Sequence, residues 1–204
     1  GPSRDAWAEM ADAWEKQFDL RLVSAQRDFP GKWRTQMDHA GVDRAVLQHD
    51  RIYGRLDDFL ADCVRRYPDR FHPLAQVDEW AGGRPEQIER LRRQIQDLGF
   101  AGLYFVTEGF FWVEHTIDLN HRSLEPLWDL VGELSVPIFW HINDGKRPRL
   151  EAYFQEVALL TEWADRHPHI MSVLTHGLTS LRMAEGPERF HIRPELISLL
   201  RRPN

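Results

Sequence analysis

His141 and His176 are the residues from which chemistry in this chain is most directly built. Each ends a short apolar run that turns polar: Val136-Pro137-Ile138-Phe139-Trp140-His141-Ile142-Asn143 and, 35 residues on, Ile170-Met171-Ser172-Val173-Leu174-Thr175-His176-Gly177-Leu178. Neutral imidazole ligates divalent metals and, near pH 7, gives and takes protons. Runs of this length and composition read as buried strands. Pro137 sits where a missing N–H costs least, and Asn143-Asp144-Gly145 closes the first run with turn residues. Parallel neighbours of this kind carry equivalent residues to one end of a sheet, about 4.8 Å apart. Both histidines are therefore expected in one mouth, His176 as the proton-transfer group, with Thr175 turned to the opposite side.

Other polar residues gather where strands are expected to end. His49 and Asp50 follow Gln48, placed either at the pocket or at the cap of the next helix. Asp78 and Glu79 suit a helix start, where the macrodipole favours carboxylates. Glu108, followed by Phe110, Phe111 and Trp112, reads as a wall for an aromatic or conjugated substrate, or as core or subunit contact. Trp140, next to His141, is expected to touch substrate with His49, Asp50 and Glu108. Arg147 and Arg149 read as partners for a substrate carboxylate or as a solvated loop. His72, His115, His121, His167, His169 and His191 are read as surface residues.

The elements that must position these residues alternate regularly. Helices are expected over 5–17, 33–40, 57–67, 85–98, 124–134, 150–167 and 194–202, with strands over 42–48, 71–77, 101–106, 136–141 and 170–176, and 20–25 as a strand or a helix extension. Gly41, Pro68, Gly99 and Pro168 stand at helix ends, and Pro85 at a helix start. Strand ends at Gln48, Val77, Val106, His141 and His176 are spaced by 29, 29, 35 and 35 residues. Strands alternating with helices imply a parallel sheet, either an open doubly wound one or a closed (β/α)₈ barrel. Polar residues at every strand C-terminus, and no Gly-rich phosphate loop after the first clear strand, favour the barrel.

Composition narrows the partners. The 204 residues carry 26 Lys and Arg against 32 Asp and Glu, a net charge of −6, with no long block of either sign. That patterning points away from nucleic acid and from membrane surfaces. A small-molecule substrate is the expected partner, and a homodimer is one open assembly. The single cysteine, Cys63, has no intrachain partner and falls on the apolar side of an expected helix with Phe59 and Leu60. It reads as a buried thiol in a reducing compartment, hence a cytoplasmic protein. No run approaches the ~18 apolar residues of a membrane span, and no signal peptide is visible. Gly1-Pro2-Ser3 reads as a tag remnant, leaving 4–204 as a single domain. A barrel usually takes ~250 residues. The five clear βα units are therefore expected to be part of a barrel that continues beyond this sequence.

A set of motifs carries a family resemblance. Met37-Asp38-His39-Ala40-Gly41-Val42-Asp43-Arg44-Ala45-Val46-Leu47, Tyr53-Gly54, Arg65-Arg66-Tyr67-Pro68-Asp69-Arg70-Phe71, Leu98-Gly99-Phe100-Ala101-Gly102-Leu103, Leu124-Glu125-Pro126-Leu127-Trp128 and Val136-Pro137-Ile138-Phe139-Trp140-His141 follow in this order. Together they resemble the amidohydrolase-2 branch of the amidohydrolase superfamily. The resemblance implies a (β/α)₈ barrel, a divalent metal (zinc or manganese), and hydrolysis or non-oxidative decarboxylation of small carboxylated, aromatic, conjugated or lactone substrates. It implies further that His141 matches the metal ligand after strand five and His176 the catalytic histidine after strand six. The His-x-His pair expected after strand one is not found there, and no strand-eight aspartate is assigned. The alternative expectation is a metal-free barrel fragment acting as a binding or interaction module.

Overall fold

A computed structural model describes residues 29–142, 150–176 and 194–204. The expected tag remnant, the segments 5–17 and 20–25, the 143–145 turn, Arg147, Arg149, Gly177 and His191 lie outside the described residues. Five parallel strands alternate with helices, the α/β class of an incomplete (β/α)₈ barrel with five βα units, as expected. The chain divides into two compact units, one of residues 1–74 and 96–101, the other of 75–95 and 102–204.

In the first unit, helix α1 (Phe29–Ala40) stops where Gly41 takes φ +68°, and β1 (Ala45–Leu47) follows. Helix α2 (Asp57–Arg66) opens on Asp57 and Asp58 and closes on Arg65 and Arg66, each charge set against the macrodipole end that it favours. Strand β2 (Phe71–Ala75) runs parallel to β1, pairing Ala45 with Phe71 and Leu47 with Pro73. Trp33 of α1 meets Phe59 of α2 and Phe71 of β2 edge-on, at 5.9 and 6.2 Å between ring centres. Cys63 is wholly buried, as expected, and burial pushes its thiol up to about 11.

The second unit holds β3 (Gly102–Val106), β4 (Ile138–His141) and β5 (Ser172–Thr175), with β4 between the other two. Helix α3 (Pro85–Gln96) begins on a proline whose missing N–H is not needed there. The Gln87 side chain bridges back to Asp78, donating to its carboxylate at 3.0 Å and accepting its N–H at 2.9 Å. Helix α4 (Glu125–Leu134) ends at Ser135 in the left-handed region (φ +53°). Helix α5 (Leu150–Arg166) stops before Pro168, and α6 (Pro194–Leu200) is tied to it by a two-pronged Arg202–Asp165 pair at 2.7 and 2.9 Å.

The core of this unit is aromatic. Trp128 of α4, Trp163 of α5 and Trp140 of β4 are all wholly buried, with Phe105 of β3 packed against both Trp128 and Trp140. Strand alternation produces this layer: Ile138 and Trp140 share one face of β4, while Phe139 and His141 share the other and are only half-buried. Of the described histidines expected at the surface, only His169 is exposed; His115 and His121 are half-buried, and two others are drawn further into their elements. His167 is 8% exposed, stacked 4.8 Å from Trp163, and His72 is half-buried within β2. In both cases the ring follows the packing of its element, which local polarity does not reveal.

Candidate active site

The register of the second unit decides where the strand-end side chains go. Val106 pairs with His141, and His141 with Thr175. His176 is thus one residue beyond the position equivalent to His141, and strict alternation would send it to the opposite face. It adopts φ +56°, the left-handed region, which breaks the alternation as the strand ends. The imidazole comes to lie beside that of His141, with ring centres 4.9 Å apart. The two histidines do meet, by a backbone turn and not by equivalent register. Thr175, expected on the opposite side, shares its strand level with His141, and its hydroxyl donates to the Trp140 carbonyl at 2.7 Å. Histidine is one of the few non-glycine residues enriched at positive φ, so the position suits its occupant.

His141 is oriented from β3. The Tyr104 hydroxyl lies 2.8 Å from His141 Nδ1, and the Tyr104 ring is nearly buried, 4% exposed. Tyr104 pairs with Phe139, one step diagonal from His141, a reach that a tyrosine side chain spans. Nothing in the sequence marked it, because tyrosine is an ordinary strand residue and its partner is known only once the register is known.

The other expected site residues fall into three places. Trp140 is corrected from substrate contact to core: it faces the helices, its indole N–H donating to Ser172 Oγ at 3.1 Å. Glu108 is exposed in the short 3₁₀ segment Thr107–Val113 that follows β3, where Phe110 is buried, Phe111 is 49% exposed, and Trp112 lies 5.9 Å from Trp80. His49 and Asp50 follow β1 in the first unit, His49 buried and Asp50 half-buried, with the Asp50 carbonyl accepting from Tyr53 N–H.

Glu79 has a structural place beneath this edge. Wholly buried, it accepts the Val106 N–H at 3.3 Å, and a Cβ on Gly109 would stand 2.5 Å from its Oε2. Glycine at 109 therefore lets the turn out of β3 close over the carboxylate. Gln76, just past β2, is 5% exposed, and its amide nitrogen has no hydrogen-bond partner among the described residues.

Among the described residues, no three His, Cys, Asp or Glu side chains are grouped to hold a metal ion. His141, whose Nδ1 is engaged by Tyr104, is a single candidate ligand. A catalytic zinc takes three protein ligands and a water. The described residues do not make a metal site by themselves. The chain's His-x-His, His167-Pro168-His169, stands before β5 and not after a strand, with His167 packed on Trp163.

The amidohydrolase family matches residues 4–197. The chain belongs to that family. Solved structures agree on the fold. A 2,6-dihydroxybenzoate decarboxylase from Rhizobium shares 21% identity, over 86% of this chain and 64% of its own, at a TM-score of 0.56. A 4-oxalomesaconate hydratase from Rhodopseudomonas palustris shares 18%, over 83% and 57%, at 0.55. A dihydroxybenzoic acid decarboxylase from Polaromonas sp. JS666, with bound manganese and the inhibitor 2-nitroresorcinol, shares 18%, over 98% and 73%, at 0.60. The chain spans less than two thirds of the length of the first two. No curated protein matches it. At these identities the likeness is one of fold. Among the described residues, no helix is long and apolar enough to cross a membrane.

Proposed function

We propose that this chain carries part of the active centre of an enzyme acting on a small carboxylated molecule, by non-oxidative decarboxylation or by hydrolysis. The observation that carries it is the pairing of two imidazoles, 4.9 Å apart, where two neighbouring parallel strands end. That end of a (β/α)₈ sheet is where such enzymes keep their reacting groups. Family membership and the decarboxylases and hydratase among the structural neighbours support the same reading.

In this proposal His176 moves the proton. For decarboxylation, the bond between the substrate carbon and its carboxylate breaks, CO₂ leaves, and the electron pair left on carbon takes the proton that His176 delivers. For hydrolysis, the same imidazole takes a proton from the attacking water and returns it to the leaving group. His141 is the residue here that would ligate a divalent metal, zinc or manganese; manganese is bound in the Polaromonas structure. The described residues supply no complete ligand set. Glu108 is proposed as a substrate contact, and the partner is a small molecule.

The test is turnover of a panel of aromatic and conjugated carboxylates and lactones, in D₂O with added manganese or zinc, by the protein at its full native length. Release of CO₂ equal to product, with deuterium at the vacated carbon, is the expected outcome for a decarboxylase; ring-opened product without CO₂, as from a lactone, marks the hydrolytic branch. Binding of these acids with no turnover of any would contradict an enzyme and leave a binding module.

A further inference from the structure

Tyr104 is a nearly buried polar side chain in contact with the imidazole of His141, and the proton steps above leave it unused. Its ring is 4% exposed, its position on β3 is fixed by the pairing with Phe139, and its hydroxyl lies 2.8 Å from Nδ1 of His141. The ring centres are 6.1 Å apart and tilted by 38°, so the contact is made through the hydroxyl and not by stacking. A neutral imidazole carries one proton on one nitrogen. The hydrogen bond at one nitrogen therefore selects what the other can do.

We propose that Tyr104 is the positioning residue of this site: its phenol oxygen accepts the Nδ1–H of His141, fixing the tautomer whose lone pair is on Nε2. This rests on the reading that His141 works as a ligand or base, since either role needs that lone pair. Phenol can also donate, and donation to Nδ1 would place the proton on Nε2 and disable the ring for both roles. Tyr104 thus determines which nitrogen works. Burial supports this role: an ordered phenol in a packed strand has little freedom to leave its partner, whereas a water in its place could turn and serve either tautomer.

The experiment is ¹⁵N–¹H correlation spectroscopy of the His141 imidazole in this chain, at about pH 8, above the usual histidine range. His141→Gln assigns the signal. The expected result is a predominantly Nδ1–H tautomer, with the ratio falling roughly three- to tenfold in Tyr104→Phe, the scale of one net hydrogen bond. A predominantly Nε2–H ring in the unsubstituted chain overturns the proposal, because Tyr104 would then be the donor. So does an unchanged ratio in a folded Tyr104→Phe, which removes only the oxygen. If that variant does not fold, the tautomer of the unsubstituted chain still decides. The readout needs no turnover, so a correct tautomer in a protein that converts none of the acids would fault the proposed activity and not Tyr104.

Discussion

His167 shows at the residue scale how packing overrides polarity. Its imidazole is 8% exposed, lies 4.8 Å from the Trp163 ring, and has Glu125 Oε2 at 3.9 Å. Burial holds its pKa below the usual histidine value; Arg166 and His169 push the same way, and the carboxylates of Glu125 and Asp129 oppose them without prevailing. The unfolded chain therefore binds a proton at a higher pH than the folded one. Stability from this group is complete above about pH 6.5 and is lost as pH falls from there toward the folded pKa. Denaturant unfolding across pH 5 to 8 should show stability declining below about 6.5, with that part of the decline reduced in His167→Asn. An identical profile in the variant would contradict the assignment. His167 reads from the sequence as the last residue of a helix, before Pro168, where a surface residue is ordinary, with no sign of the tryptophan beneath it. His176 was legible as a strand-end histidine, but its left-handed backbone was not, since the one-residue offset from His141 exists only in the register.

Strand β4 and helices α4 and α5 form the element that holds the site in place. Both Ile138 and Trp140 are wholly buried against the helices, and the three indoles of Trp128, Trp140 and Trp163 have centres 4.8 to 5.7 Å apart. Trp140→Ala should cost about 3–5 kcal/mol of unfolding free energy, as large aromatic truncations in packed cores do. Since Trp140 flanks His141, that variant should also loosen the His141–His176 pair. A loss below about 1 kcal/mol by chemical denaturation would mean that the cluster is poorly packed. Alternation along β4 was visible in the sequence and, applied to Trp140 as well as His141, separates the two residues. What it does not reveal is which face meets helices, and a tryptophan beside a catalytic candidate suits either. Helix bounds were more legible, because Gly41, Pro68, Pro85 and Pro168 stop or start them by backbone chemistry. Strand ends moved inward instead, β1 to Leu47 and β2 to Ala75, since pairing and not composition ends a strand.

At the scale of the whole molecule, regular strand spacing carried the fold, and order and spacing of short motifs carried the family; neither depends on side-chain register. The site depends on it, and only its histidines were found. The metal is the sharpest consequence. With one ligand identified among the described residues, elemental analysis of the 204-residue chain should find well under one equivalent of transition metal. A full equivalent that disappears in His141→Ala would contradict that expectation. The proposed function stands on His176 as the group that moves the proton. Its most direct test is kcat of His176→Asn in the protein at its full native length, on whichever acid the panel shows to be turned over. Asparagine also tolerates the left-handed backbone, so the change removes the imidazole and spares the turn. With His176 as the proton-transfer group, kcat should fall about 10²–10⁴-fold with metal content unchanged. A rate equal to that of the unsubstituted protein, or metal lost together with activity, would contradict it.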